Sequence, residues 1–395
     1  MLKKFSCAMI SLGLMISLLL PVQVLAKESE TDLAPEAVSA ILLDAGTGKI
    51  LYEKNSRQAL PPASITKVMT MLLVMEAIDH GKISWSDPVT ISEHAASMGG
   101  SQIFLEQGER MTVHDLFKAM AISSANDAAV ALAEYLGGTE ENFVQMMNNK
   151  AKQLGLKNTH FQNANGLPAP DHYTSAHDIA IMSRELLSYS KVTNYTGLYE
   201  DYLRKNTKKP FWLVNTNKLI RFYPGMDGLK TGYTSEAKYC LAATAKRGNL
   251  RFIAVVMGEP DIKKRNQEVV SMLDYAFNHY TSKRIFNQGD ILAEKRIDKG
   301  NPDKIRIQAN QPLDILVKKG TEQTGFEKRW IWNELKAPIH KGDHLGKLQI
   351  VQDGNIVAEW NLVSSAEVAQ ANLWSSLKHT LEDMFFLPND ASSPM

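Results

Sequence analysis

The stretch Pro62-Ala63-Ser64-Ile65-Thr66-Lys67-Val68 places a serine just after a proline pair and ahead of a long apolar run. Proline is not tolerated inside a helix, so we expect a helix to begin here. The run from Val68 to Ile78 is apolar nearly all round, which predicts a helix buried in a large core. Ser64 would lie in its first turn, with Lys67 on the same face and the positive end of the helix dipole behind it. The pair therefore predicts a serine nucleophile whose proton an amine can accept.

The S-x-x-K pattern is weak by itself, because most such pairs are solvated surface residues. It occurs four times: Ser64/Lys67, Ser188/Lys191, Ser235/Lys238 and Ser375/Lys378. Two further motifs distinguish the first pair. Ser124-Ala125-Asn126 is the only S-x-N and lies at a predicted helix junction, and Lys230-Thr231-Gly232 is the only K-T-G and lies on a predicted strand. The three motifs in this order are typical of the penicillin-binding and β-lactamase group, which the chain resembles.

Composition limits the other possibilities. A chain of 395 residues suggests two or three domains, and 44% hydrophobic with 22% charged residues is an ordinary globular composition. A net charge of +1 provides no basic excess for phosphates, so we expect no nucleic acid partner. The ten histidines include a single H-x-x-x-H spacing, His340 with His344, and no larger ligand cluster, so we expect neither a metal nor another cofactor.

The N-terminal segment has the features of a signal peptide. Lys3 and Lys4 precede an uncharged run that ends at Val24-Leu25-Ala26, a small-residue cleavage site. An uncleaved membrane anchor is the alternative, since the run is long enough to span a bilayer. In either case we expect export, to the cell wall or the outer face of the cytoplasmic membrane. The mature chain keeps only Cys240, which we interpret as a buried small hydrophobe.

Strand patterns at both ends of the first region, with helical patterns between them, predict an α+β domain whose helices pack against one antiparallel sheet. The predicted sheet strands are 37–43, 49–52, 226–233, 238–245 and 250–257. We divide the chain into a signal peptide (1–26), a catalytic domain (27–283), a small β-rich domain (284–365), and an amphipathic helix with a tail (366–395). A helix over 366–387 either packs on the β-rich domain or lies in a membrane interface, with Trp374, Phe385 and Phe386 as anchors.

The chemistry of acyl transfer explains the residue types. Ser64 is the expected nucleophile, and Lys67 can be its base if burial and a nearby cation such as Lys230 lower its pKa. Ser124 is the expected proton relay to the leaving amine, and Asn126 can hold the substrate amide. The remaining expected substrate contacts are a carboxylate site at Lys230 and Thr231, a close backbone approach at Gly232, and oxyanion donors in the backbone N–H groups of Ser64 and Tyr233.

Residues 35–363 further resemble the D-alanyl-D-alanine carboxypeptidase family of low-molecular-mass penicillin-binding proteins, peptidase family S11, and within it the sporulation-associated type. The resemblance implies a β-lactamase/transpeptidase-like fold, removal of the terminal D-alanine from peptidoglycan pentapeptides, and inhibition by β-lactam antibiotics. It also implies that Arg265 lies near the substrate's terminal carboxylate. Two positions depart from well-known members: Tyr233 stands where they have histidine, and Asn165-Gly166-Leu167 where they often have His-Gly-Leu.

Three alternatives stay open at this point. A serine β-lactamase shares all three motifs, although its class A type also needs a glutamate with an asparagine four residues on, between S-x-N and K-T-G, and no glutamate there meets this condition. A D,D-transpeptidase would share all three motifs, and the motifs do not separate hydrolysis from transfer to a second peptide. A non-catalytic wall-binding scaffold would retain the fold without needing the polar residues of the motifs.

Overall fold

The computed structural model describes residues 32–320 and 325–372. Its central element is an antiparallel sheet of five strands in the order β2-β1-β9-β8-β7. The strands are β1 (Ser39–Asp44), β2 (Ile50–Lys54), β7 (Met226–Thr234), β8 (Lys238–Arg247) and β9 (Leu250–Glu259). β7 lies at one edge of this sheet, so its outer rim is available to an extended peptide.

Most of the helices lie between β2 and β7 in the chain. They are α1 (Lys67–Asp79), α2 (Glu93–Ala96), α3 (Val113–Ser123), α4 (Asn126–Gly137), α5 (Glu140–Gln153), α6 (Ala176–Ser188), α7 (Thr193–Thr196) and α8 (Leu219–Phe222), with α9 (Ile262–His279) after β9. Two short strand pairs lie among them: β3 (Pro88–Thr90) with β4 (Arg110–Thr112), and β5 (Glu200–Leu203) with β6 (Phe211–Val214). The sequence patterns had predicted neither pair.

Helices cover both faces of the sheet. Successive side chains of a strand point to opposite faces. On β9, Ile253 and Val255 join the large apolar core that includes α1, whereas Phe252 contacts Phe277 of α9 with ring centroids 4.9 Å apart. α1 is buried on nearly every side, as its all-round apolar sequence predicts. This arrangement is the expected α+β catalytic fold.

A second, all-β module follows α9 directly. Its strands are β10 (Tyr280–Phe286), β11 (Ile291–Arg296), β12 (Gly300–Asn301), β13 (Lys304–Gln308), β14 (Leu313–Lys318), β15 (Glu327–Trp332), β16 (His344–Gln352), β17 (Asn355–Val363) and β18 (Ala369–Gln370). It has a separate apolar core, in which Ile307, Ile315 and Leu348 are buried. A tight turn at Asp353-Gly354 joins β16 to β17 as a hairpin.

The helix expected from Ala366 does not begin there. Val368 is buried in the core of the β module and pairs with Ile339, and β18 pairs with β12. The buried Val368 side chain and the strand β18 therefore keep residues 366–370 in the β module. The helical spacing on which the prediction rested comes from residues further along the chain. The rest of that helix, from 373, and the signal peptide over 1–26 lie outside the described residues. Within the described part of the chain, no helix is long and apolar enough to cross a membrane.

Candidate active site

Ser64 lies in a short 3-10 turn, Ala63–Thr66, that leads directly into α1. The α-helix itself starts at Lys67, so the nucleophile precedes the first α-helical turn instead of lying in it. Ala63 has a left-handed backbone with φ 47°, which turns the chain sharply just before the serine. Ala63, Ile65 and Thr66 are buried while Ser64 is half-buried, so the turn leaves the serine as its accessible residue.

Lys67 is fully buried and its amine makes three hydrogen bonds. It donates to Ser64 Oγ at 3.1 Å, to Asn126 Oδ1 at 2.6 Å and to the backbone oxygen of Asn165 at 2.6 Å. Burial lowers the pKa of Lys67 well below its usual value, and the neighbouring Lys230 lowers it further against the opposing effect of Asp127. The environment thus favours a neutral amine within hydrogen-bonding distance of the serine.

The S-x-N motif lies at the helix junction that the sequence predicted. Ser124 ends α3 with a left-handed backbone at φ 66°, and Asn126 begins α4. Asn126 is anchored to the loop 97–101, since its backbone N–H donates to Ser101 O and its Nδ2 to Gly99 O, both at 2.7 Å. Both motif residues are buried, and Asn126 reaches Lys67 directly.

The K-T-G motif lies on the edge strand β7, as predicted. Lys230 and Thr231 are buried, and the Thr231 hydroxyl donates to Thr216 Oγ1 at 2.7 Å. The expected reason for Gly232 was close approach of a substrate, and the structure gives a further one. A Cβ on Gly232 would lie 3.0 Å from the backbone oxygen of Pro62 and 3.2 Å from Ala63 Cβ, so the glycine lets the strand pack against the nucleophile turn.

Cations are concentrated behind the K-T-G motif. Burial and the positive charge of Arg265 lower the pKa of Lys230 to about 7. Arg265 lies in the first turns of α9 and is itself buried, with its Nε and one terminal nitrogen donating to Asn266 Oδ1 at 3.1 and 2.9 Å. The positive charge of Lys230 thus lowers the pKa of Lys67, and that of Arg265 lowers the pKa of Lys230. These three basic side chains form an electrostatically coupled series between the serine and α9.

Tyr233 follows the K-T-G motif at the surface. Its side chain is 55% exposed, and its ring lies 4.4 Å from that of its cross-strand partner Tyr239, tilted by 31°. Tyr233 and Thr231 lie two residues apart on β7, so their side chains share one face of the strand. The backbone N–H that was expected to act as an oxyanion donor belongs to the strand and does not depend on the type of side chain.

The remaining S-x-x-K pairs in the described chain do not form sites of this kind. Ser188, Lys191, Ser235 and Lys238 are all exposed. The fourth pair, Ser375 with Lys378, lies outside the described residues.

Sequence reasoning assigned no structural role to three residues that shape the site. The first is Asn165, whose backbone oxygen holds Lys67, a contact that leaves no pattern in side-chain types. The second is Gly166, where a Cβ would lie 1.9 Å from Ala63 O, so the loop packs directly onto the nucleophile turn. The third is Asp127, which is fully buried and accepts the backbone N–H groups of Ile103 and Leu105. The Asn-Gly pair at 165–166 and an acidic residue just after S-x-N were the only available signals.

Comparison with known proteins assigns the chain to a family. The family model described as D-alanyl-D-alanine carboxypeptidase matches residues 26–261, which is more than half of the chain. The chain belongs to the D-alanyl-D-alanine carboxypeptidase family. A second family model, described as the C-terminal domain of penicillin-binding protein 5, matches residues 280–370 and so covers the β module of this family member.

Individual members of the carboxypeptidase family agree with this assignment. D-alanyl-D-alanine carboxypeptidase DacF from Bacillus subtilis is 52% identical over 354 residues, which cover 89% of this chain and 91% of DacF. The crystal structure of penicillin-binding protein 5 from Haemophilus influenzae is 34% identical with a TM-score of 0.67, covering 85% of this chain and 98% of that one. Penicillin-binding protein D2 from Listeria monocytogenes, solved with ampicillin bound, is 33% identical with a TM-score of 0.56, covering 61% of this chain and 98% of that one.

These findings confirm the predicted family, its likeness to the sporulation-associated type, the α+β catalytic fold with a following all-β domain, and the class of enzyme, a serine-type D-Ala-D-Ala carboxypeptidase. The roles of individual residues rest instead on the geometry of the site.

Proposed function

We propose that Ser64 attacks the peptide bond between the two terminal D-alanines of a peptidoglycan stem peptide, and that Lys67 is its general base. The observation that carries this proposal is the 3.1 Å contact between Lys67 Nζ and Ser64 Oγ in a buried setting that lowers the pKa of the lysine. A neutral amine has a lone pair that can accept the hydroxyl proton, so the serine becomes nucleophilic as it forms the new C–O bond. The last D-alanine leaves after protonation of its nitrogen, and water then hydrolyses the acyl-enzyme.

Ser124 and Asn126 support these steps from the helix junction. Ser124 is buried beside Asn126 on the segment that reaches Lys67, which suits a hydroxyl that passes a proton to the departing amine. Asn126 already binds Lys67 and Gly99 O. A carboxamide has two donor hydrogens and two acceptor lone pairs, so one of each remains for the substrate amide.

The edge of β7 is the proposed binding site for the substrate's end. An extended peptide can pair with the outer rim of this strand, and Gly232 brings that strand close to Ser64. The terminal carboxylate of D-alanine would be recognised by Lys230 and Thr231, with Arg265 adding positive charge from α9. The backbone N–H groups of Ser64 and Tyr233 would stabilise the oxyanion of the tetrahedral intermediate.

β-lactam antibiotics are the second proposed ligand, and we expect them to inhibit. Penicillin would acylate Ser64 and leave slowly, because the chain has no glutamate with asparagine at the spacing that a class A β-lactamase uses to activate the deacylating water. Loss of the acyl group within milliseconds would instead indicate a β-lactamase. Release of D-alanine without a second peptide in the assay separates the carboxypeptidase from a D,D-transpeptidase.

We further propose that the protein is exported through residues 1–26 and works at the cell wall or the outer face of the membrane. Because residues 366–370 belong to the β module, any membrane-binding helix would lie beyond them, within 373–387. A chain that ends at Asn372 should then lose attachment to membranes while keeping full penicillin binding. If the chain that ends at Asn372 and the full-length chain attach to membranes equally, this part of the proposal is contradicted.

The test of the site is the intact-protein mass after brief exposure of residues 27–395 to benzylpenicillin, beside a Ser64→Ala control. A stable adduct on the Ser64 protein alone, together with release of D-alanine from a pentapeptide, would support the proposal. An adduct on neither protein would favour the non-catalytic scaffold, as would a Ser64→Ala variant that keeps its full effect in cells.

A further inference from the structure

The position of the Lys67 amine depends on chain segments outside its own helix. Two of its three hydrogen-bond acceptors are Asn126 Oδ1 from α4 and the backbone oxygen of Asn165 from the loop 163–167, each at 2.6 Å. Both contacts are shorter than the 3.1 Å contact to Ser64. A shift of the loop backbone would therefore move the amine relative to the serine hydroxyl.

The loop backbone is itself held on two sides at the residue before Asn165. Thr70 of α1 donates its hydroxyl to the backbone oxygen of Ala164 at 2.6 Å, and the backbone N–H of Ala164 donates to Glu140 Oε1 at 2.9 Å. Glu140 is the first residue of α5, and its side chain is 13% exposed. One carboxylate oxygen of Glu140 thus fixes the 163–164 peptide group, two peptide groups before the Asn165 carbonyl that holds Lys67.

The other carboxylate oxygen of Glu140 contacts a histidine. Oε2 lies 2.9 Å from His94 Nε2, and the His94 side chain is 53% exposed on the short helix α2. The hydrogen bond with Glu140 raises the pKa of His94, and the carboxylates of Glu140, Glu134 and Glu141, which are the charged groups facing it, add to this against the effect of burial. His94 lies just before the loop 97–101, where Gly99 O holds the amide of Asn126.

Glu140 therefore connects the loop 163–167, which carries one acceptor of Lys67, with the short helix that precedes the loop 97–101, which in turn holds Asn126, another acceptor of Lys67. We propose that Glu140 is a positioning residue for proton transfer from Ser64 to Lys67, and that its pairing with protonated His94 makes this positioning dependent on pH. Glu140 exchanges no proton with the substrate. This inference rests on the proposed role of Lys67 as the base.

The matched experiment compares Glu140→Ala, Glu140→Gln and the control Glu141→Gln, a neighbouring carboxylate on the same helix turn that is fully exposed. Stopped-flow acylation by a chromogenic cephalosporin separates the rate constant for acylation from the dissociation constant of the initial complex. In Glu140→Ala we expect the acylation rate constant to fall about tenfold with the dissociation constant unchanged, because proton transfer and not binding depends on Lys67. Glu140→Gln should lose less, since its amide oxygen can still accept the Ala164 N–H.

The contribution of His94 is tested with His94→Gln, alone and combined with Glu140→Gln. The acylation rate constant of each variant is divided by the wild-type value at the same pH. The histidine is half exposed, so we expect only about a threefold fall at pH 6, and a smaller fall at pH 8.5 because the histidine loses its proton as pH rises. The double variant should be no slower than Glu140→Gln at pH 6, because the two side chains act as one pair. If Glu140→Ala does not fold, this series alone decides the question.

Two results would overturn the inference. The first is a folded Glu140→Ala enzyme whose acylation rate constant is within twofold of that of Glu141→Gln. The second is a His94→Gln enzyme whose acylation rate constant equals that of wild type at both pH values, with the effects of His94→Gln and Glu140→Gln simply additive in the double variant. Failure of the proposed function is distinguishable, since it would appear as a wild-type enzyme that forms no adduct or releases no D-alanine.

Discussion

Replacing Gly166 by alanine should disable the nucleophile without touching any reacting group. Gly166 has φ +88°, and a Cβ there would lie 1.9 Å from Ala63 O, 2.4 Å from the carbon of that carbonyl and 2.9 Å from Ser64 N. Real Cβ atoms do not come closer than 3.0 Å to such backbone atoms, so the loop and the nucleophile turn must separate by roughly 1 Å. The atoms that must move include the Ser64 N–H, one of the two proposed oxyanion donors.

The size of the effect follows from this displacement. A misplacement of about 1 Å at a reacting group can cost about 100-fold in rate, and loss of one oxyanion donor costs about 100- to 1,000-fold. We therefore expect the rate constant for acylation of Ser64 by benzylpenicillin to fall by at least about 100-fold in Gly166→Ala. Release of D-alanine should fall in parallel, since each reaction passes through its own tetrahedral intermediate at the same proposed oxyanion donors.

The control is Gly289→Ala. Gly289 has nearly the same backbone, φ +86°, but nothing lies within 4 Å of the added Cβ. Both variants should lose roughly 1–2 kcal/mol of stability from the left-handed backbone, which thermal unfolding measures. Only Gly166→Ala should lose acylation. A folded Gly166→Ala enzyme that acylates within threefold of Gly289→Ala would refute the reasoning.

Two further predictions concern titration. First, protonated Lys230 would attract the substrate carboxylate in the proposed site, so kcat/KM should decline as pH rises through about 7. In Arg265→Gln this decline should move to higher pH because a cation is removed, and kcat/KM should also fall at all pH values. Lys264→Gln, at an exposed neighbouring position, should show neither change. Second, burial and the neighbouring Glu268 raise the pKa of Glu259 to about 9, so the folded state binds more protons than the unfolded state from the ordinary glutamate range up to that value. Stability should therefore fall with rising pH across this window, and Glu259→Gln should remove that slope in urea unfolding series at pH 6 and 9.

The catalytic motifs could be predicted from the sequence because each one combines a chemical type with a local structural pattern. The apolar run after Ser64 indicated a buried helix, and the apolar strands around Lys230 indicated a sheet, so the placement of both motifs followed. The helix junction at Ser124 followed from two adjacent helical patterns. These are local properties of the chain, which periodicity detects well.

The remaining features depend on contacts that periodicity does not record. The backbone oxygen of Asn165 holds Lys67 from 98 residues away, and a carbonyl carries no side-chain signal. The 3-10 turn at Ser64 depends on the left-handed Ala63, a conformation that alanine rarely adopts and that tertiary packing must impose. The error at Ala366 had the same origin, because one buried contact of Val368 outweighed a helical pattern that begins further on.

The grouping of basic side chains in the site explains how one pocket can contain both a base and an anion-binding group. Burial and mutual repulsion of Lys67, Lys230 and Arg265 make it unfavourable for all three to be charged at once. A substrate carboxylate at Lys230 and Arg265 would stabilise the protonated form of Lys230, and that charge in turn would keep Lys67 neutral. Because linkage is reciprocal, the neutral form of Lys67 also favours the state that binds the carboxylate. In the proposed site a free C-terminal carboxylate would thus do more than orient the peptide: it would favour the protonation state that the nucleophile requires, which suits an enzyme that acts at the ends of stem peptides.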